Sequence, residues 1–140
     1  MKSDDLFVAY KEARNLFISE DEFSILVTIF PAVLVATADH LFDEEEKEYI
    51  ADLVTNAALE LYEDGEKAEQ AAALLFEELL FLSQVNNEWQ EKFLSVLHDE
   101  LEMEDKSELE NMLLETADVN KKMSDEEKSE IDRILKLVND

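Results

Sequence analysis

The chain has 140 residues, of which 12 are basic and 37 acidic, and its formal net charge at pH 7 is −25. This length predicts a single domain over residues 1–140, and a hydrophobic fraction of 46% supports a packed core. The charge excludes direct binding to DNA, RNA or anionic lipid, which it repels, and favours cations and basic proteins as partners. Because the chain contains no cysteine, disulfides and thiolate metal sites are also excluded.

The residue composition predicts an all-α fold. The chain has one glycine and one proline, which argues against sheets with tight turns. Alanine, leucine, glutamate and lysine, all strong helix formers, are frequent. Apolar residues recur at helical intervals between short connections, so we expect a compact single-domain bundle of seven or eight helices.

The first two predicted helices lie before residue 38. Apolar positions of the first recur at helical intervals at Leu6, Tyr10, Ala13 and Phe17. Ser19 with Glu22 is a capping-box signature for the start of the second helix. Pro31 removes a backbone donor, so we expect this second segment to be kinked or split near Phe30.

The next two predicted helices follow Asp43. Asp43 is a good N-cap, and Glu46 three residues later completes an aspartate variant of the capping box. Gly65 stands where this helix is expected to end, as a C-terminal glycine. The helix after it is apolar most of the way round, so we expect it to be the central helix. Its apolar residues are Ala68, Ala72, Leu75, Phe76, Leu79 and Leu82.

The last part of the chain contains three more predicted helices. Asn86 or Asn87 is expected to cap the first of them, in which Trp89 and Phe93 share one face. We expect that face to pack in the core rather than to form an exposed partner site. The apolar positions of the following helix are Leu109, Met112, Leu113 and Thr116, and those of the last are Ile131, Ile134, Leu135 and Val138.

One tripeptide occurs twice, as Thr37-Ala38-Asp39 and as Thr116-Ala117-Asp118. Each copy is followed by a short loop, an N-cap residue and a glutamate at the third helical position. The caps and glutamates are Asp43 and Glu46 after the first copy, and Ser124 and Glu127 after the second. The repeated order predicts an internal duplication, with two acidic helix-loop-helix turns in one domain.

These turns resemble those of the tellurite-resistance TerB-like family, a small helical domain. Ala38-Asp39 through Glu46 is similar to the first turn of the family, and Ala117-Asp118 through Glu127 to the second. The resemblance covers the chain from about Phe23 to its end and implies a role in stress or tellurite-type resistance. It also implies that four acidic residues gather into a metal site, namely Asp39, Glu46, Asp118 and Glu127.

The carboxylates of such a site determine which metals it suits. Oxygen ligands without a thiolate suit Ca²⁺, Mg²⁺ or Mn²⁺. His40 and Val119 stand where the family has glycine, which makes the second turn the weaker half of the site. Helix capping alone also explains Glu46 and Glu127, because each carboxylate lies at the positive end of a helix dipole. Both interpretations stay open at this point.

The remaining sequence features indicate neither an enzyme nor a membrane protein. His40 and His98 are the only histidines, and neither belongs to a metal-ligating motif. A glycine-rich phosphate loop and a nucleophile elbow are both missing from the sequence. The apolar stretch from Phe23 to Ala38 is short for a membrane span, and the first residues lack the pattern of a signal peptide. We therefore expect a cytoplasmic, non-enzymatic protein.

These features favour two functions. The first is a TerB-like domain that binds a divalent cation, or a protein partner that is basic or membrane-associated. The alternative is an acidic inhibitor that imitates DNA and occupies the groove of a nucleic-acid-binding protein. Such a mimic would carry acids in rows near the phosphate spacing of about 7 Å along a DNA strand. A helical adaptor or dimer without a ligand is a third interpretation.

Overall fold

Helices form all the regular structure in the part of the chain that the computed structural model describes, residues 3–38, 42–84, 87–100, 103–119 and 124–139. In chain order they are α1 (Ser3–Arg14), α2 (Glu20–Ala36), α3 (Glu44–Leu61), α4 (Gly65–Leu82), α5 (Trp89–Glu100), α6 (Met103–Asp118) and α7 (Asp125–Asn139). They pack into one compact domain, which confirms the predicted all-α bundle. Within these ranges, none of the helices has the length and apolar character needed to cross a membrane.

Helix α2 is the centre of the bundle. It packs against α3, α4, α5, α6 and α7, and every residue from Ile29 to Ala36 is buried. The prediction that α4 is central is wrong. Although α4 is rich in apolar residues, it packs mainly against α2 and α3 and leaves Glu69, Ala73 and Glu77 exposed.

Helix α2 also runs unbroken past Pro31. It begins at the predicted capping box, in which Ser19 Oγ accepts the backbone N–H of Glu22 at 3.1 Å and Glu22 Oε1 accepts that of Ser19 at 2.8 Å. The helix is therefore not split near Phe30, and the alternative, a kink there, stays a prediction. Pro31 cannot donate to the preceding turn, but its neighbours are buried among other helices. Burial of these apolar side chains outweighs the single lost hydrogen bond.

Gly65 begins a helix instead of ending one, so its predicted role is wrong. Helix α3 ends at Leu61, and Tyr62 follows it in an extended conformation. Asp64 then caps α4, because its Oδ1 accepts the backbone N–H groups of Glu66 at 2.9 Å and Lys67 at 3.4 Å. An aspartate N-cap satisfies two donors here, and Gly65 becomes the first residue of α4.

The first helix is shorter than its apolar spacing predicts. Helix α1 ends at Arg14, and Asn15 takes a left-handed conformation with φ 55°, which asparagine adopts more readily than most residues. The chain turns there, and Phe17 lies outside the helix with 95% of its surface exposed. The helical spacing therefore does not extend to Phe17, and Ala13 is exposed. The helix buries Leu6, Phe7 and Tyr10 instead.

Aromatic rings from three helices, α1, α2 and α5, form the middle of the core. Phe93 is in contact with Tyr10, Phe23 and Phe30, at ring-centroid distances of 5.1, 5.4 and 5.5 Å. Trp89 packs edge-on against Tyr10 at 5.1 Å. These tilted and edge-to-face pairs have the geometry that aromatic rings prefer. They confirm that Trp89 and Phe93 are core residues.

A buried carboxylate ties α1 to α4. Glu78 Oε1 accepts hydrogen bonds from Tyr10 Oη and Arg14 Nε, both at 2.8 Å, and Glu78 Oε2 accepts one from Arg14 Nη2 at 3.1 Å. The Arg14 guanidinium also lies over the Phe81 ring, 3.7 Å from its centroid. Burial, with Glu78 adding to it, raises the pKa of Tyr10. We call Tyr10, Arg14 and Glu78 the α1–α4 clamp.

Candidate functional site

The first acidic turn, residues 37–46, joins α2 to α3. Asp43 Oδ1 accepts the backbone N–H of Glu46 at 2.8 Å, and Glu46 Oε1 accepts that of Asp43 at 3.4 Å. This is the predicted capping box. The Glu46 side chain is only 2% exposed, which the sequence did not indicate. Asp39 and His40 lie outside the described residues.

The second acidic turn, residues 116–127, joins α6 to α7. Ser124 Oγ accepts the N–H of Glu127 at 3.1 Å, and Glu127 Oε1 accepts that of Ser124 at 3.1 Å. Glu127 is 1% exposed, and its Oε2 has no hydrogen-bond partner among the described residues. Asp118, by contrast, is exposed at the end of α6.

The environments of the two turns match, as the predicted duplication requires. The hydroxyl groups of Thr37 and Thr116 donate to the carbonyls four residues earlier, at 2.9 and 2.7 Å. Ile50 and Ile131 occupy equivalent buried positions in the following helices. The helices around the two turns are also in contact with each other: α2 packs against α6 and α7, and α3 packs against α6. The internal duplication itself stays a prediction.

A tyrosine links the two halves. Tyr49 of α3 donates to Glu115 Oε2 of α6 at 2.9 Å. Burial, followed by this hydrogen bond, raises the pKa of Tyr49 to about 12. The contact holds the start of α3 against the end of α6.

Three of the four carboxylates of the predicted metal site, those of Glu46, Asp118 and Glu127, belong to described residues. Within the described part of the chain, no group of three or more acidic or histidine side chains is placed to hold a metal ion. Glu46, Asp118 and Glu127 therefore do not form such a group by themselves. Both buried glutamates act as helix caps, which is the alternative left open by the sequence. A site with four carboxylates would need Asp39, so it stays a prediction.

The outer face of α3 carries a row of acidic side chains. Glu44, Glu48 and Asp52 are exposed at four-residue intervals. Four residues of helix rise by about 6 Å and turn by about 40°, so these three carboxylates lie within about 80° of one another around the helix. Glu60 is also exposed, but it is turned by about 160° from Glu44. The four-residue spacing of Glu44, Glu48 and Asp52 in the sequence was the signal that would have revealed this row.

A groove of about 410 Å³ lies between α2 and α3; we call it the α2–α3 groove. Its apolar lining comes from Ile25 and Ile29 of α2 and Ala57 and Leu61 of α3, and the exposed Asp21 and Glu60 also line it. Because the two helices are antiparallel neighbours, this groove lies at the opposite end of the pair from the first acidic turn. Sequence reasoning missed it, since it depends on how the helices pack.

A second groove, of about 290 Å³, is lined by Phe17, Ile18, Tyr62 and Leu74 among others; we call it the Phe17 groove. Leu61 lines the α2–α3 groove, and its neighbour Tyr62 lines the Phe17 groove. In the same way, Asp21 lines the α2–α3 groove and its neighbour Glu22 lines the Phe17 groove. The two grooves therefore flank one ridge. Burial, with the nearby carboxylate of Glu22 adding to it, raises the pKa of Tyr62.

These surfaces offer carboxylates and apolar side chains, which suit binding of cations or of basic apolar surfaces. No protein-family model, curated protein or solved structure matches this chain.

Proposed function

We propose that this chain is a non-enzymatic acidic helical domain, resembling TerB, that binds a basic protein partner through the exposed carboxylates of α3. The observation that carries the proposal is the row of Glu44, Glu48 and Asp52 on a chain of net charge −25. Such a field attracts basic surfaces and accelerates their association. The resemblance to TerB would place this binding in stress or tellurite-type resistance.

The spacing of the row also supports the more specific alternative, imitation of DNA. A step of about 6 Å between acids on a helix is close to the phosphate spacing of about 7 Å along one DNA strand. A groove that binds phosphates with lysine and arginine would accept carboxylates at that spacing. In this alternative the basic partner is a nucleic-acid-binding protein.

Neutralising the row is expected to reduce capture of basic proteins by about tenfold, since exposed ion pairs each contribute roughly 0.2–1 kcal/mol. The variant combines Glu44→Gln, Glu48→Gln and Asp52→Asn; we call it the α3 variant. The immobilised chain is incubated with nuclease-treated extract, and the bound proteins are quantified by mass spectrometry. Enrichment restricted to nucleic-acid-binding proteins supports DNA imitation, and enrichment of other basic proteins supports the broader proposal.

A matched control removes the same charge elsewhere. It combines Glu69→Gln, Glu77→Gln and Asp132→Asn, which are exposed on α4 and α7; we call it the control variant. It should capture the same proteins as the native chain. Equal capture by the α3 variant and the control variant, or capture of no basic protein by the native chain, would contradict the proposal.

A second candidate function, binding of a divalent cation at the acidic turns, is favoured by Glu127. Its carboxylate is buried, and Oε2 has no hydrogen-bond partner among the described residues. A buried carboxylate oxygen without a partner is costly. A cation held by oxygen ligands, as Ca²⁺, Mg²⁺ and Mn²⁺ are, would satisfy it. The resemblance to TerB would add Asp39, Glu46 and Asp118 as the other ligands.

The substitution Glu127→Gln is expected to weaken cation binding at least tenfold, because it removes a charged ligand. The glutamine oxygen can still accept the N–H of Ser124, so the cap is kept. The measurement is calorimetric titration with Ca²⁺, Mg²⁺ and Mn²⁺. Glu126→Gln, an exposed neighbour, is the control and should bind like the native chain. Absence of heat with all three metals, or equal affinities for the two variants, would argue against a cation site.

A further inference from the structure

We propose that the α2–α3 groove is the docking site for a basic amphipathic helix of the protein partner. The inference rests on the proposed function, since it adds a second contact surface for the same basic partner, beyond Glu44, Glu48 and Asp52, and names the kind of segment that is held there. It assigns to the partner an apolar stripe that enters the groove and lysine or arginine residues beside that stripe. This is helix-in-groove recognition.

The dimensions of the groove suit a short helical segment. Its α2 wall extends from Asp21 to Ile29, and these eight steps of a helix rise by about 12 Å. Two turns of a docking helix have the same length, so anchors at positions i, i+3 or i+4, and i+7 would reach the whole groove. A volume of about 410 Å³ falls within the range of pockets that bury apolar groups.

The charge around the groove selects the occupant. Asp21 and Glu60 line it and are exposed. Glu20, beside Asp21, and Glu63, three residues after Glu60, are also exposed. A second copy of this chain would bring the same acids and the same charge of −25 to the contact, which repulsion disfavours. A basic segment gains attraction at every one of these positions. Charge complementarity therefore favours a cationic partner over self-association.

Phe17 extends the apolar surface beyond the groove. Its side chain is 95% exposed beside the Phe17 groove, and the two grooves share the ridge that contains Leu61 and Tyr62. A fully exposed phenylalanine beside an apolar groove is typical of interface anchors. The surface thus offers the docking helix a main groove and an adjacent aromatic side chain.

The experiment uses a fluorescein-labelled peptide of 18 residues with leucine on one helical face and lysine and arginine on the other, measured by fluorescence anisotropy with the full chain. Ala57→Phe fills the groove and is expected to weaken binding by about tenfold or more, since contacts at the centre of an interface dominate affinity. Ala73→Phe, exposed on α4 outside both grooves, should leave the affinity unchanged.

A charge-reversed pair tests the acidic residues of the groove separately. Asp21→Lys with Glu60→Lys is expected to weaken binding about tenfold. The control, Glu12→Lys with Asp132→Lys, changes the net charge equally at exposed positions on α1 and α7. It should weaken binding far less.

The outcomes separate this inference from the proposed function. If the peptide does not bind the native chain, or if Ala57→Phe and Ala73→Phe bind it equally, docking in the groove is overturned. The proposed function then depends only on the capture experiment with the α3 variant. If the α3 variant loses captured proteins while the groove substitutions have no effect, the proposal of a basic partner is supported and the proposed docking site in the groove is contradicted.

Discussion

Phe93→Ala is expected to lower the free energy of unfolding by about 3–5 kcal/mol, the usual cost of removing a buried phenylalanine. The Phe93 side chain is fully buried and is in contact with the rings of Tyr10, Phe23 and Phe30. Alanine would leave a cavity where α1, α2 and α5 meet. The surrounding rings belong to two other helices, α1 and α2, so they cannot close that cavity without moving the backbone.

Urea unfolding followed by circular dichroism measures this loss. Phe17→Ala is the control, because it removes the same side chain from a position that is almost fully exposed. Its effect should stay within about 0.5 kcal/mol, as for other surface substitutions. If the two substitutions cost the same, the assignment of Phe93 to the core and of Phe17 to the surface would be wrong.

Glu78→Ala is expected to lower the free energy of unfolding by about 2–4 kcal/mol, since it leaves buried polar groups without partners. Tyr10 would lose the acceptor of its hydroxyl group, and Arg14 would lose two hydrogen bonds. The cost is below that of breaking a fully buried pair, because the Arg14 side chain is 32% exposed and water partly replaces Glu78.

Thermal and urea unfolding of Glu78→Ala test the clamp, with exposed Glu77→Ala as the control. The free energy of unfolding at alkaline pH gives an independent measurement of the clamp. Because the pKa of Tyr10 is raised in the folded state, the stability it contributes is complete below the ordinary tyrosine value of about 10 and falls as pH rises above it. Tyr10→Phe should reduce that alkaline loss. A Glu78→Ala chain as stable as the Glu77→Ala chain would show that the clamp contributes nothing.

Local signals in the sequence predict the starts of the helices well. The capping boxes at Ser19, Asp43 and Ser124 form as expected, because each needs only two residues three positions apart. Gly65 was misassigned since the choice between ending α3 and starting α4 depends on the competing cap of Asp64. Pro31 does not split α2, because burial around this helix outweighs a local preference.

The candidate surfaces were less predictable than the helices. Spacing placed Glu46 and Glu127 at capping positions, but their burial follows from the packing of α2 and α6 around the two turns. The α2–α3 groove depends on the distance between two helices, and the apolar periodicity of the sequence does not indicate that distance. Phe17 fitted the apolar spacing of α1, and only the turn at Asn15 removes it from the helix.

The central claim is that the exposed carboxylates of α3 bind a basic partner. The most direct measurement uses the basic protein that the native chain captures. Its affinity is measured by calorimetric titration against the native chain, the α3 variant and the control variant, at 50 and 300 mM salt. We expect the α3 variant to bind about tenfold more weakly at low salt, the control variant to match the native chain, and the difference to shrink at high salt because exposed charges are screened. Equal affinities for the α3 variant and the native chain at low salt would contradict the claim.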